Sequence, residues 1–431
     1  MPAQVEEGSL RTSANAEVPA DVLQPGLELV IEVDPGNTLG AEVGITRRIP
    51  ESGRQPVDVR TVPPLHLTYL PVLRPGQSES GFLARIARFT VDDPMFWPTR
   101  SWLPVGEFTL DVRETFFTSA ANGSELLREI EATRVMEGGP GYYMGGLPSS
   151  LTIDFGFGGL AFRPGRSSLA HLDSTTVAHE LGHNMSLRHA PCGGADQTDP
   201  DFPDRAGRIG AWGFDPSSNE LVPPETADVM GNCRPRWIST YHLKTTLERR
   251  LNEEASAAFA PAPGTDRTLL VWGGVDAAGV PFLDPAFVVD APVALPGSGG
   301  PYTLRGRTAG GAELFSVDFD LPEVAHGDGG SVFAFALPAS PAWADQLEAI
   351  ELSAPGGVAT LDQAGSSPTA LLRDARTGRI RGILRDLANG GDRLGILAGA
   401  AADPGRIASM LSDVADLEVL VSRGLPSADQ W

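Results

Sequence analysis

The sequence predicts an α+β unit with a twisted mixed sheet, followed by an immunoglobulin-like β-sandwich. Three observations lead to this prediction. A chain of 431 residues is too long for one small core and indicates two or three domains. Its 50 glycines and 37 prolines indicate many turns and short strands rather than a helical bundle. Residues 257–264 are small and proline-rich, as is typical of a linker between domains.

The charge and hydropathy of the chain exclude some partners. The net charge of −22 argues against nucleic acid, because phosphate binding needs clustered lysine and arginine. No apolar run approaches the roughly 20 residues that span a bilayer, so no membrane span is expected. The protein is expected to be a monomer. The N-terminus has neither a basic region nor an apolar core of a signal peptide. Either the protein stays inside the cell, or the sequence starts downstream of an export signal, which we favour.

Hydrophobic periodicity divides the first two thirds of the chain into two units. Residues 1–56 are predicted to be the end of a truncated β-module, because Leu27, Leu29, Ile31 and Val33 alternate as in a half-buried strand. Residues 57–256 are predicted to form the α+β unit. Its predicted strands are 65–69, 108–112, 142–144 and 153–157, and its predicted helices are 124–137 and 240–254.

Residues 265–395 are predicted to form the β-sandwich, because short apolar runs alternate with turn residues. A turn at 376–379 is predicted to join two strands as a hairpin. Residues 396–431 are predicted to be a helical tail, with a helix at 407–421 packed on the sandwich.

The segment from 173 to 191, DSTTVAHELGHNMSLRHAP, contains the residues that indicate chemistry. Asp173 or Ser174 can cap a helix. His179 and His183 are four residues apart, so both imidazoles project from one side of that helix. This geometry suits two ligands of a tetrahedral Zn²⁺ at about 2.0–2.1 Å. Glu180 points beside the metal, where a carboxylate can take a proton from an activated water and deliver it to a leaving amine.

His189, six residues after His183, is the predicted third ligand. Three protein ligands leave a fourth position for water, as a catalytic zinc needs. The alternative is that these are ordinary core histidines on an apolar helix. Three of the chain's seven histidines lie within eleven positions, which favours the metal site. The remaining histidines include His66, His171 and His326, which show no partner pattern and are assigned to the surface or the core.

The motifs HELGHN, RHAPCGG and DVMGNCRPRWIS resemble the bacterial secreted, mucin-degrading metalloproteases of the metzincin clan. The resemblance covers about residues 57–254. It implies a sheet with a backing helix, an active-site helix carrying the zinc ligands His179, His183 and His189 with Glu180 as base, and a methionine turn. It places Met230 in that turn, beneath the metal. Ser186 departs from the clan's glycine at a position that often has positive φ. Asn232 stands where some relatives carry a tyrosine that approaches the metal, so no tyrosine ligand is expected there.

Cys192 and Cys233 are the only two cysteines, and one follows each half of the predicted site. A disulfide between them is the natural pairing. It would tie the third-ligand loop to the methionine turn and add about 3–4 kcal/mol of stability by loop closure. The alternatives are two free thiols in a reducing cytosol or a thiolate on the zinc. The disulfide favours an extracytoplasmic protein.

These observations predict a secreted endopeptidase with one catalytic Zn²⁺ ion and no other cofactor. It would hydrolyse peptide bonds of extracellular proteins, and the family resemblance suggests glycoproteins among them. The alternative is a catalytically degenerate scaffold that binds extracellular glycans or proteins. A metal hydrolase that acts on something other than peptides is the third, weaker hypothesis.

Overall fold

A computed structural model describes residues 6, 8–13, 15–257, 266–363, 367–386, 417–427 and 430–431. The N-terminal part contains short paired strands, β1 with β4 and β2 with β3. Leu29 and Ile31, which alternation predicts to be half buried, are 38 % and 56 % exposed. The four strands are β1 (Glu28–Leu29), β2 (Ile31–Glu32), β3 (Arg48–Ile49) and β4 (Gln55–Pro56).

The second region contains the strands predicted at 65–69, 108–112 and 142–144, and both predicted helices. The strand predicted at 153–157 is wrong. Residues 153–155 form the end of a helix, which stops where Gly156 adopts φ +75°. The elements are β5 (Leu65–Leu73), α1 (Ser80–Ile86), α2 (Trp97–Trp102), β6 (Phe108–Val112), β7 (Phe116–Thr118), α3 (Gly123–Glu137), β8 (Tyr142–Leu147), α4 (Ser149–Phe155), β9 (Gly159–Arg163), β10 (Ser167–His171), α5 (Ser174–Asn184), β11 (Gly213–Asp215), β12 (Glu220–Val222), β13 (Ala227–Asp228), β14 (Arg236–Trp237) and α6 (Thr240–Ala257).

The last region is almost entirely β-structure. The predicted linker, 257–264, lies outside the described residues except for Ala257, the last residue of α6. The elements are β15 (Asp266–Val275), β16 (Pro281–Leu283), β17 (Phe287–Ala291), β18 (Tyr302–Arg307), β19 (Glu313–Phe319), β20 (Glu323–Ala325), β21 (Ser331–Pro338), α7 (Trp343–Gln346), β22 (Ala349–Ala354), β23 (Gly357–Leu361), β24 (Thr369–Asp374), β25 (Ile380–Leu384) and β26 (Leu417–Ser422).

A large mixed sheet runs through the molecule in the order β20-β9-β10-β8-β5-β7-β25-β24-β26, with β6 paired to β5. The central strands β10, β8, β5 and β7 are parallel, whereas β9 is antiparallel to β10. Helix α3 packs on one face of this sheet, and α5 packs on the other. The combination of a mixed sheet with helices on both of its faces agrees with the α+β prediction.

Two four-stranded sheets, β16-β15-β17 with β21 and β19-β18-β22-β23, share one apolar cluster. The cluster includes Val271, Leu304, Phe319 and Ile350. The sequence predicted one sandwich for all strands up to residue 395, but β24 and β25 belong to the large sheet. The amphipathic pattern of a strand shows which residues are buried and does not show which sheet it joins.

The helical tail predicted at 396–431 is also corrected. Leu417–Ser422 forms strand β26, which pairs antiparallel with β24 along its whole length. The remainder of the predicted helix, 407–416, lies outside the described residues. Val419 and Val421 pack against the apolar cluster that contains Leu372 and Leu417. The β-branched residues of this segment therefore belong to a strand at the end of the large sheet, where their side chains pack on its surface.

Helix α3 lies between the large sheet and the sheet formed by β15, β17 and β21. Its cluster contains Leu127 and Ile130 together with Trp272 and Val289. Asn122 caps the helix by accepting a hydrogen bond from the Glu125 N–H. No helix in the described part of the chain is long and apolar enough to cross a membrane.

Candidate metal centre

Helix α5 presents two histidines to one point beneath the edge of the large sheet. Asp173 caps its N-terminus by accepting hydrogen bonds from the N–H groups of Thr175 and Thr176. His179 and His183 are buried, 4 % and 0 % exposed. Their Nε2 atoms are 3.1 Å apart. The four-residue spacing therefore does place both imidazoles on the same side of the helix.

A tight turn after α5 brings the third histidine back to the same point. The helix ends at Asn184, and Ser186 adopts φ +81°. The Ser186 N–H donates to the His183 carbonyl, and the Leu187 N–H donates to the Gly182 carbonyl. This is the left-handed conformation that the family resemblance predicts for a glycine, and here the serine adopts it. The Nε2 atom of His189 consequently lies 3.0 Å from that of His183.

Each of the three histidines is oriented by a backbone carbonyl at its other ring nitrogen. The Nδ1–H groups of His179, His183 and His189 donate to the carbonyls of Val229, Leu187 and Asp196, at 2.9, 2.8 and 2.6 Å. Donation at Nδ1 fixes the tautomer that leaves the Nε2 lone pair free. Three lone pairs thus converge on one point, which is the arrangement that a bound cation stabilises.

A fourth imidazole, from the C-terminal part of the chain, completes this cluster. His326 Nε2 lies 3.0 Å from His179 Nε2, 3.3 Å from His183 Nε2 and 3.0 Å from His189 Nε2. The sequence assigned His326 to the surface or core, and that assignment is wrong. The tetrahedron formed by four nitrogens at 2.0–2.1 Å from a zinc has edges of roughly 3.3 Å. The cluster therefore fits a metal ion of this size with nitrogen ligands.

The electrostatics of the cluster also suit a metal ion. Burial, followed by the neighbouring imidazoles, lowers the pKa of His179 and of His183 well below the usual value. Burial lowers the pKa of His189 as well, and that of His326 to about 4. The imidazoles are therefore neutral near pH 7, and neutral imidazole is the form that coordinates a metal.

Glu180 lies beside the four histidines with its carboxylate buried. The residue is 1 % exposed, and Glu180 Oε1 lies 3.8 Å from His326 Nε2. Glu180 Oε2 has no hydrogen-bond partner among the described residues. A β-carbon at Gly159, on β9, would come within 2.2 Å of Glu180 Oε1, so the glycine provides the space for this carboxylate. Burial raises the pKa of Glu180 well above its usual value.

The turn that contains Met230, the methionine turn of the sequence prediction, packs against helix α5 at Gly182. Met230 is fully buried, and a β-carbon at Gly182 would come within 2.8 Å of its Sδ atom. The turn is held by Asp228, which accepts hydrogen bonds from the Met230 N–H, the Ser239 N–H and the His242 ring. His242 is thus a partner of the turn and has no place in the histidine cluster. Tyr241 likewise donates its hydroxyl to Asp199 at 2.9 Å.

The disulfide that the sequence predicts is present in the structure. Cys192 and Cys233 are joined with their Cα atoms 5.6 Å apart. The Asn232 N–H donates to the Cys192 carbonyl beside it. The bond connects the loop that follows His189 to the end of the methionine turn, as the positions of the two cysteines suggested.

Sequence reasoning missed three residues of the site, and two of them left a weak signal. His326 lies within the sequence HGDGG, where a histidine among turn glycines marks a loop that can present a side chain. Asp228 directly precedes the methionine turn in the DVM segment. Gly159 gave no signal, because the contact that requires its missing side chain lies across the fold.

Residues 120–250 match the model of the Peptidase M66 family. This match includes α3, the histidines of α5, His189 and the methionine turn, and it supports a metallopeptidase. It ends before the β-rich region that contributes His326. No curated protein and no solved structure matches the chain significantly. The family match and the buried histidine cluster together suggest a metal ion, most consistent with zinc.

Proposed function

We propose that the protein is a secreted zinc endopeptidase that hydrolyses peptide bonds of extracellular proteins, glycoproteins among them. The observation that carries this proposal is the convergence of His179, His183 and His189 beside the buried carboxylate of Glu180. The region that contains them matches a peptidase family. The disulfide supports the extracytoplasmic location, because such bonds persist in oxidising compartments.

The residues of the site divide the chemistry between them. A zinc ion held by His179, His183 and His189 would polarise the scissile carbonyl and make an attacking water more acidic. Glu180 is the general base: it takes a proton from the attacking water and passes it to the leaving amine. Its burial raises its proton affinity, and the absence of a side chain at Gly159 keeps its position open. The three backbone carbonyls hold the imidazoles in the orientation that coordination requires.

The test of this proposal combines metal content with hydrolysis of casein and of mucin. We expect about one zinc per chain. We expect Glu180→Gln to keep that metal and to lower the hydrolysis rate by about 100-fold or more, since general-base catalysis contributes about 10²–10⁴. Because His326 faces the same centre, both forms are measured with and without His326→Ala. Glu248→Gln, on the exposed side of α6, is the matched control and should change neither quantity.

Two outcomes would overturn the proposal. Unchanged hydrolysis in Glu180→Gln would remove the assigned base. Full metal loading without hydrolysis of either substrate, in both backgrounds, would favour the alternative of an extracellular binding scaffold.

A further inference from the structure

Four observations concern a single short segment, residues 323–326, which reaches the metal centre from the C-terminal part of the chain. It connects β19 to β21, which lie in opposite sheets of the sandwich. The first three residues of the segment form strand β20, which pairs antiparallel with β9. The last residue of the segment is His326. The peptidase family match stops at residue 250, so this segment is supplied from outside the matched region.

The first observation is where β20 lies. Without it, β9 would be the edge of the large sheet, directly above α5. An exposed edge strand has unpaired N–H and C=O groups, and an extended peptide can add to it as a further strand. Gly159 of β9 adjoins the Glu180 carboxylate. A peptide that paired along the whole of β9 would therefore pass close to the Glu180 carboxylate, and β20 already takes up the pairing positions of Ala161, Phe162 and Arg163.

The second observation is how firmly the strand is held. Ala325 is fully buried. Val324 is 7 % exposed and belongs to the apolar cluster that contains α3. Glu323 forms an ion pair with Arg163 of β9 and lies 3.4 Å from Arg188, just after α5. The strand is thus fixed by apolar contacts on one side and by two arginines of the metal-site region on the other.

The third observation is the backbone of His326. It adopts φ +62°, a left-handed conformation that is strained for a residue with a β-carbon. Gly327 and Gly329 follow it in the same loop. A glycine would be the unstrained residue at this position, but only a side chain can reach the cluster.

The fourth observation is the contrast between His326 and the other three histidines. Its Nε2 completes the tetrahedron. Its Nδ1 lies 3.9 Å from Asp196 Oδ1, too far for a hydrogen bond. The residue is also the most exposed of the four, with its side chain 26 % exposed. His326 is consequently the ligand that is least constrained and most easily withdrawn.

We propose that His326 is a fourth metal ligand, and that residues 323–326 close the active site of the latent enzyme by occupying the places of substrate and attacking water. This proposal rests on the proposed peptidase function. Four imidazoles saturate a tetrahedral ion, and a catalytic site keeps one position open. The peptidase becomes active when the segment leaves β9 and His326 leaves the metal.

The coordination of the metal is tested first, without any measurement of activity. The full-length protein is loaded with Co²⁺, and its visible absorption spectrum is recorded while azide is added. We expect the wild-type spectrum to resist azide, because the ion has no exchangeable position. His326→Ala should have a changed spectrum and should respond at an azide concentration about tenfold lower or less. His66→Ala, an exposed histidine on β5, is the matched control and should behave as the wild type. X-ray absorption of the zinc-loaded wild type should show four imidazole ligands, and this measurement requires no variant.

Hydrolysis of casein is then compared among the same three proteins. If the open form is about 10 % or less of the wild type, His326→Ala should raise the rate about tenfold or more. A wild-type ion with three imidazoles and an azide response equal to that of His326→Ala would overturn the inference and leave the peptidase function standing. Four imidazoles in the wild type, with no hydrolysis by His326→Ala, would support the ligand assignment and refute the peptidase function.

Discussion

At the scale of single residues, the site depends on a few backbone positions as much as on its side chains. His179 and His183 need only helical spacing, and so they can be predicted from the sequence alone. His189 needs a chain reversal within six residues. The reversal is made by Ser186 at φ +81°, where glycine would be unstrained.

We expect Ser186→Gly to raise the free energy of unfolding of the metal-free protein by about 0.5–1 kcal/mol. Release of left-handed strain, worth about 1–2 kcal/mol, exceeds the added chain entropy of glycine in the unfolded state. Urea unfolding at neutral pH measures the change. Ser186→Ala keeps the β-carbon and should gain nothing. Equal stability of the glycine and alanine variants would show that the turn is not strained.

At the scale of elements, the junction of β13, the methionine turn and α6 is organised by one buried carboxylate. Asp228 is fully buried and joins the Met230 and Ser239 N–H groups to the His242 ring. Burial by itself would raise the pKa of this carboxyl. The charge and hydrogen bond of His242 and the hydrogen bonds from Ser239 and Met230 outweigh it and hold the pKa below its usual value.

The pH dependence of stability should report this carboxylate. The pKa of Asp228 is lower in the folded state than in the unfolded state. The ionised carboxylate therefore contributes fully to the free energy of unfolding above the ordinary pKa of about 4, and this contribution is lost as the pH falls through the pKa of the folded state. We expect Asp228→Asn to lower the free energy of unfolding by about 3 kcal/mol at pH 7. The decrease should become smaller as the pH approaches about 3. Denaturant unfolding across this range measures both effects. Asp345→Asn, on the exposed surface of α7, is the control, and a cost for Asp228→Asn that is constant with pH would contradict the assignment.

The sequence predicted elements well where the signal is local. The β5, β6 and β8 strands, α3, α6 and the histidine helix all follow from spacing or alternation. The sequence prediction failed for α4. Ile153, Phe155 and Phe157 alternate as in a strand, but this part of the chain is helical up to Phe155, and Leu151 is the residue of the helix that is buried. It also failed for His326, which contacts His189 across 137 residues of chain. No local period records such a contact.

At the scale of the whole molecule, the β-rich C-terminal part is built into the large sheet and its core. Strand β25 pairs with β7, and helix α3 is covered by β15, β17 and β21. Buried ion pairs connect the two parts: Arg385 binds Glu129 on α3 at 2.8 Å, and both Arg385 and Arg128 bind Asp284. The sequence expected a separate sandwich, because composition shows where a linker lies and not what packs across it.

We expect the metal-free protein to unfold in a single calorimetric transition. One apolar cluster contains residues of α3, of the large sheet and of β15, so neither part can unfold without exposing the other's core. The ratio of calorimetric to van't Hoff enthalpy, measured by scanning calorimetry at neutral pH, should be close to one. Two resolved transitions would show that the parts are independently stable.

The disulfide between Cys192 and Cys233 also has a consequence for the time at which the centre matures. It joins the loop behind His189 to the methionine turn, and thiols stay reduced in the cytosol. A newly made chain in that compartment would lack this covalent connection between the loop after His189 and the turn. For the exported peptidase proposed above, oxidation after export would be the step that adds this bond, and the centre would be completed only away from the proteins of the cell that makes it.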